Sequence, residues 1–131
     1  MDDRGLITIN QARTFSLRDA EEILPVVRRI THEWAQKVDA LIARLEAKNQ
    51  DHVEEIQKLE TEINAGIRSW HEKVKKLGAS PKGLWLVDFD CGDGFYCWKY
   101  PDHRITHWHS YADGFTGRIP IKERHPELQH N

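Results

Sequence analysis

Apolar residues in the first half of the chain recur every three or four positions, which is the period of one buried helical face. Ser16 and Asp19 occupy capping-box positions just before this pattern, so we expect the first helix to begin at Leu17. Pro25 lies inside the pattern and removes one backbone hydrogen bond, which predicts a kink or a short separate first helix. The apolar positions are Ile23, Val27, Ile30, Trp34, Val38, Leu41 and Leu45.

A second segment repeats the same spacing after an interruption at residues 47–51. Asn49 suits the end of a helix, Asp51 and Glu54 suit a second capping box, and Gly78 marks the stop. We expect the two apolar stripes to face each other in an antiparallel hairpin over about residues 17–77. The second stripe consists of Val53, Ile56, Ile63, Ile67, Trp70, Val74 and Leu77.

The stripes are narrow, as in a coiled coil, and helices of about 32 and about 26 residues would be roughly 48 and 39 Å long. Such rods are longer than a domain of 131 residues can cover. We therefore expect a homodimer with the helices at its interface, and a single hairpin wrapped against the rest of the chain is the alternative. Gly66 fits a close approach of helices at that dimer seam.

Aromatic and β-branched runs replace the helical pattern after Gly78. Residues 83–89 and 95–100 flank an Asp/Gly-rich turn, which is typical of a β-hairpin, and residues 104–109 can add a third antiparallel strand. Residues 110–121 read as a Gly-punctuated loop. The predicted fold class is therefore α+β: one domain over residues 1–131, with the helical hairpin followed by a three-stranded sheet in a tail of about residues 83–121.

Composition narrows the function classes. The 19 basic and 21 acidic side chains give a net charge of −2, so no overall field attracts nucleic acid. The sequence offers no apolar stretch long enough to span a membrane, and the polar residues 1–4 do not resemble a signal peptide. We expect a cytoplasmic protein whose two cysteines, Cys91 and Cys97, remain thiols.

His107 and His109 form the sharpest chemical pattern. On a strand both side chains share one face, with Cα atoms about 6.6 Å apart, so both imidazoles can reach one metal ion. Asp88, Asp113 and Cys97 are candidates for the third ligand, and a divalent Zn, Fe, Mn or Ni ion would suit these donors. The alternative is that His109 is a structural, hydrogen-bonded residue and His107 an exposed one.

Asp88, His109 and Arg118 suggest a second kind of site. A carboxylate can orient an imidazole, and a guanidinium can bind a carboxylate or phosphate with two parallel hydrogen bonds. These residues could thus form a small anion site. A buried ion pair between Asp88 and Arg118 that fixes the loop to the sheet would explain the same residues without a ligand.

The tryptophans and cysteines of the tail allow two interpretations. Trp98 and Trp108 could stack a flat ligand, although such residues are more often part of a hydrophobic core. Cys97 reads most simply as a small core residue, and Cys91, near the turn, as the more reactive thiol.

An ordered set of short motifs resembles the bacterial family called Domain of Unknown Function 2203, over roughly residues 13–121. The resemblance implies a helical hairpin plus tail and brings no known activity. This sequence has Tyr100-Pro101-Asp102 where the family's pattern has Gly-Glu, so no counterpart of that Glu is present. The motifs are RTFSL at 13–17 with Leu24-Pro25, GLWLVDF at 83–89, Cys97-Trp98, Trp108-His109 and GFTGRIP at 114–120. The resemblance places emphasis on Asp88, Cys97, Trp98, Trp108, His109, Gly114 and Arg118.

Two functional hypotheses follow from the sequence. In the first, the tail binds a divalent metal or a small anionic ligand. In the second, the protein is a non-catalytic structural or interaction protein that assembles through its coiled-coil-like helices and contacts an unknown protein partner. The sequence contains no nucleophile elbow, phosphate-binding glycine loop or zinc-finger spacing, so it leaves open whether the protein is an enzyme.

Overall fold

The two predicted helices form the first layer of the computed structural model, which describes residues 13–130. Helix α1 spans Leu17–Glu46 and helix α2 spans Val53–Lys76. The expected capping box is confirmed: the Asp19 amide donates to Ser16 Oγ at 3.0 Å, and the Ser16 amide donates to the Asp19 carboxylate at 3.3 Å. The expectation about a signal peptide concerned residues 1–4, which lie outside the described residues.

Helix α1 runs through Pro25 without a break, so the expectation of a separate first helix is wrong. A proline inside a helix costs about 3 kcal/mol. Leu24 and Val27 on either side of it are 1% and 0% exposed, and burying two such side chains contributes about as much. Tertiary packing therefore holds the helix together at this point.

The turn between the helices also differs from the expectation. Helix α2 begins after His52, which makes no side-chain capping bond, so the predicted box of Asp51 and Glu54 is wrong. The His52 amide instead donates to the Asn49 carbonyl at 3.1 Å, and this backbone bond closes the turn. At the other end of α2, Gly78 has a positive φ of 91° and stops the helix as predicted.

Gly66 lies where the two helices approach each other within the chain. A Cβ atom built on Gly66 would meet Val38 Cγ2 at 2.8 Å, which is closer than real Cβ contacts allow. The hairpin itself therefore requires this glycine, without reference to a dimer seam.

The tail forms an antiparallel sheet of five strands, so the predicted three-stranded sheet is wrong. The two additional strands each contain a proline, which lacks an N–H donor, and each is only two residues long; both therefore escape a sequence pattern. The strands are paired in chain order and comprise β1 Ser80–Pro81, β2 Leu86–Asp90, β3 Gly94–Lys99, β4 His107–Ser110 and β5 Ile119–Pro120. A short helix α3, Ile121–Arg124, and two 3₁₀ turns, Phe115–Gly117 and Pro126–His130, complete the tail.

Two predicted strands are shorter than their aromatic runs. Strand β2 starts only at Leu86, because Trp85 has a positive φ of 62° and the Leu86 amide turns back to the Gly83 carbonyl at 3.0 Å. Strand β4 starts at His107, because the buried Ile105 donates its amide to Glu21 Oε2 of α1 at 3.0 Å. A local backbone turn thus takes the first segment out of the sheet, and a contact with helix α1 takes out the second.

One face of the sheet packs against the hairpin. Val87 and Phe89 of β2 are fully buried there, and the Phe89 ring meets Phe15 edge-on at 5.3 Å between centroids. Trp70 of α2 meets Trp85 in the same way at 4.9 Å. Because side chains alternate along a strand, Asp88 and its neighbours at alternate positions point to the opposite face. Over residues 13–130, neither long helix has an apolar segment that could cross a membrane.

Candidate metal centre

The register of strands β2, β3 and β4 brings three chemically active side chains together on the outer face. Asp88 pairs directly with Cys97, and Phe95, two residues before Cys97, pairs with His109. Asp88, Cys97 and His109 therefore stand side by side on the face turned away from the helices. They are 6%, 5% and 5% exposed, which is unusual for a carboxylate and an imidazole.

The three side chains are close enough to share one ion. One ligand atom from each, a carboxylate oxygen, the thiol sulfur and an imidazole nitrogen, lies within 4.8 Å of the others. His109 Nε2 is 3.2 Å from Asp88 Oδ2. Among the described residues, this is the group of three His, Cys, Asp or Glu side chains whose ligand atoms lie this close together.

The contact made by Nδ1 of His109 determines which nitrogen of the imidazole carries the proton. His109 Nδ1 lies 2.9 Å from the Ser110 carbonyl oxygen, which can only accept, so Nδ1 carries a proton and donates it. A neutral His109 then turns the lone pair of Nε2 toward the Asp88 carboxylate. Since two acceptors do not attract each other, a proton or a cation must lie between them. Histidines that bind metals commonly donate their other nitrogen to a carbonyl in this way.

Cys97 is held as a thiol by its surroundings. Burial raises the pKa of Cys97 strongly, and the charge of Asp88 and a hydrogen bond to it raise the pKa further. The positive charge of Arg118 acts in the opposite direction and lowers it. A cation bound beside the sulfur would have the same effect as Arg118, only more strongly, and would favour the thiolate.

A cavity of about 300 Å³ opens above these three residues. Its floor is the outer face of the sheet, and the loop after β4 borders it on one side. Besides the candidate ligands, charged side chains and apolar or aromatic side chains line it. They are Lys82, Lys99 and Arg118 in the first group, and Leu86, Phe95 and Tyr111 in the second.

The sequence of this chain matches a family model described as an uncharacterized conserved protein, DUF2203, over residues 13–121. The chain belongs to the DUF2203 family. The matched region contains both helices, all five strands and the three candidate ligands. Comparison with curated proteins and with solved structures gave no match.

The other proposed ligands of this DUF2203 protein lie outside the group. His107 pairs with Cys97 across the strands but its Nδ1 contacts Thr106 Oγ1 at 2.8 Å. Burial, followed by the charge of Arg118, lowers the pKa of His107. Asp113 is exposed and accepts a hydrogen bond from Ser110 Oγ at 2.9 Å, which holds the turn after β4. The structure thus groups Asp88 and His109 with Cys97 and leaves the other two residues apart.

The two candidate ligand-binding tryptophans belong mainly to the helix-facing side of the sheet. Trp98 is 1% exposed in the hydrophobic core, and its Nε1 donates to the Asp102 carbonyl at 2.7 Å, although the residue borders the cavity. Trp108 Nε1 donates to Cys91 Sγ at 3.2 Å, and Arg124 stacks on its ring at 4.5 Å. Burial raises the pKa of Cys91, so this thiol gains no reactivity from its position.

The sequence did not predict several cavity residues of the DUF2203 protein. Phe95 and Lys99 alternate along β3 with Cys97, a predicted candidate ligand, so the period-two pattern places all three on one face. Pairing that face with Asp88 across the hairpin turn would have identified the sheet part of the cavity. Lys82 and Tyr111 come from loops, and no sequence pattern indicates their position.

Proposed function

We propose that this DUF2203 protein binds one divalent transition-metal ion through Asp88, Cys97 and His109. The observation that carries the proposal is the buried group itself, in which His109 Nδ1 donates to the Ser110 carbonyl and Nε2 faces the Asp88 carboxylate. Burying a carboxylate and an imidazole is costly unless something compensates their charge or hydrogen bonds. A metal ion at the centre of the group would supply that compensation.

Zinc fits this set of donors best. Thiolate, imidazole and carboxylate are its usual protein ligands, and bonds of about 2.0–2.3 Å at tetrahedral angles place ligand atoms roughly 3.3–3.8 Å apart. The three atoms here lie within 4.8 Å of one another, so small side-chain rotations would suffice. Iron and nickel also accept these donors, whereas the sulfur ligand disfavours manganese.

Three protein ligands leave one position of a tetrahedral ion open. Sites that only stabilise a fold usually have four protein ligands, and sites that bind or activate a small molecule usually have three. The open position would face the cavity of about 300 Å³ rather than the sheet. The proposed function is therefore a metal centre accessible to a small ligand, and a metal-bound water there would be more acidic than bulk water.

Elemental analysis of untagged protein, purified without chelators from metal-replete cells, tests the proposal. We expect near one zinc equivalent per chain, lost in Cys97→Ser and His109→Gln and retained in His107→Gln. The His107 variant is the matched control, because it removes an imidazole from the same strand and face but outside the group. Circular dichroism would confirm that the variants are folded. Metal-free wild-type protein that also fails to bind added zinc would overturn the proposal.

Independently of the metal centre, we propose as a second function that the protein assembles through the far end of the hairpin. Asp39 of α1 contacts the tail, since its carboxylate accepts a hydrogen bond from Trp85 Nε1 at 3.1 Å. Beyond it, Leu41 and Leu45 are only partly buried, and Val53 is 56% exposed. These apolar positions favour a homodimer through the helices. Sedimentation equilibrium tests it, with Leu45→Lys expected to yield monomers and Glu46→Lys as control.

A further inference from the structure

We infer that the cavity above the metal centre binds a small organic anion. Its charged group would lie between Arg118 and the open metal position, and its apolar part against Phe95 and Tyr111. The inference rests on the proposed metal site for one of the two contacts to the anion. The other contacts belong to the protein alone, which allows the two proposals to be tested separately.

The charge of the cavity lining favours an anion. Lys82, Lys99 and Arg118 line it, and Asp88 is the acidic residue among the lining side chains. A divalent ion bound by one carboxylate and one thiolate would have no net charge left, so the lining would remain positive. Clefts of one sign with low-dielectric walls concentrate ligands of the opposite sign.

Arg118 is placed to contact the anion near the floor. It lines the cavity together with the candidate ligands Asp88, Cys97 and His109. Lys82 lies beside the aromatic part of the lining, with its Nζ 5.5 Å from the centroid of the Phe95 ring. A guanidinium can hold a carboxylate or phosphoryl group with two hydrogen bonds, whereas an ammonium acts mainly as a point charge.

The aromatic wall favours an organic anion over an inorganic one. The Phe95 ring contacts the rings of His109 and Tyr111, with centroids 5.3 and 5.2 Å away. Tyr111 donates its hydroxyl hydrogen to Asp90 Oδ1 at 2.6 Å, which fixes the ring at this place. These rings give the cavity an apolar surface beside its charged groups, and Leu86 adds a second apolar side chain elsewhere in the lining. A volume of about 300 Å³ is at the small end of ligand cavities, so the ligand would be a small acid.

Four probe anions test both parts of the inference. Benzoate and acetate share a carboxylate, phenylphosphonate and inorganic phosphate share a phosphoryl group, and within each pair only the first has an apolar ring. Binding to the full-length protein would be measured by calorimetry. In protein loaded with cobalt, the visible spectrum would report whether the anion reaches the metal. The variants are Arg118→Gln and Lys99→Gln, with Lys73→Gln on the exposed side of α2 as the matched control.

We expect each ring-bearing anion to bind at least about tenfold more tightly than the small anion with the same charged group, because the ring covers apolar surface of the cavity. Arg118→Gln should weaken binding about tenfold or more, Lys99→Gln less, and Lys73→Gln should leave it within about twofold. The cobalt spectrum should change on binding in the wild-type protein. The better-bound head group identifies the ligand as a carboxylic acid or a phosphoryl compound.

Failure of the metal site and failure of the anion site give different results. If the protein binds no metal, the proposed function is overturned. The same calorimetric series on metal-free protein then still tests the inference, because the proposed contact of Arg118 with the anion does not require the metal. Absence of binding to both metal-loaded and metal-free protein overturns the inference. Equal affinity for phenylphosphonate and inorganic phosphate, together with equal affinity for benzoate and acetate, overturns its organic part.

Discussion

Trp70 Nε1 donates a hydrogen bond of 2.8 Å to Thr31 Oγ1, and this bond joins the two helices inside the core. Both residues are 0% exposed, and the Thr31 hydroxyl in turn donates to the Val27 carbonyl at 2.7 Å. Thr31→Val would leave the indole N–H buried without an acceptor. We expect a loss of about 1–3 kcal/mol in the free energy of unfolding, measured with urea.

Thr61→Val is the matched control for this prediction. Thr61 makes the same bond to a carbonyl four residues earlier, from its Oγ1 to Gln57 at 3.0 Å, but on an exposed face. Its replacement should change the free energy of unfolding by less than about 0.5 kcal/mol. Equal effects of the two substitutions would show that the bond to Trp70 contributes nothing specific.

Gly66→Ala should destabilise the hairpin even though alanine favours helices by about 1 kcal/mol over glycine. The new methyl group would overlap Val38 Cγ2, since a Cβ at this position lies 2.8 Å from it. Overpacking of this kind costs about 1–3 kcal/mol. In a double-mutant cycle, Val38→Ala should make Gly66→Ala less harmful or even favourable. Additive effects of the two changes would contradict the proposed contact.

The helical part of the fold was predictable because its signals are local. The stripe of apolar residues, the Ser16 cap and the Gly78 stop each depend on neighbours within one or two turns. The predicted cap of the second helix was wrong because the His52 amide donates to the backbone carbonyl of Asn49 instead of to a side chain. A pattern of side chains cannot predict such a backbone hydrogen bond. Local chemistry therefore predicts a helix more reliably than the turn that precedes it.

The sheet and the candidate site were predictable only in part, because both depend on strand register. Asp88 and His109 were expected to be close, and they are. His107 was expected beside them from its spacing alone, but its nitrogen contacts Thr106. Cys97 was predicted either as a possible third ligand or as a core residue. Its membership in the group follows from its pairing with Asp88, a contact that requires the hairpin register.

Zinc should stabilise the protein if Asp88, Cys97 and His109 bind it. A ligand at 100 times its dissociation constant adds about 2.7 kcal/mol to the free energy of unfolding. We expect a chelator to lower the unfolding temperature of the zinc-loaded wild-type protein and to leave that of Cys97→Ser unchanged. A chelator effect of the same size in Cys97→Ser would mean that zinc binds elsewhere on the chain.

Tyr111 gives a prediction about alkaline pH. Its hydrogen bond to Asp90, followed by burial and the charge of Asp90, raises its pKa to about 12 from the usual 10. The phenol is therefore favoured in the folded protein. This contribution to stability is complete below about pH 10 and is lost as the pH rises through about 12. The difference between ultraviolet titrations of wild-type protein and Tyr111→Phe isolates this group.

Asp90→Asn should return the titration of Tyr111 toward pH 10, because it removes the charged acceptor. Asp93→Asn is a useful comparison. Asp93 lies in the same turn but forms its ion pair with Arg124 at 2.7 Å. A Tyr111 transition that stays near pH 12 in Asp90→Asn would show that the negative charge of the acceptor is not the cause.

The three candidate ligands lie on three different strands, so a bound ion would join the middle of the sheet across its outer face. A copy without the ion would lack this cross-link and would open more often, and proteases act mainly on opened chains. The amount of protein that a cell retains would then depend on its supply of metal. When metal is scarce, the metal-free copies would be degraded, and this response would require no separate metal-sensing protein.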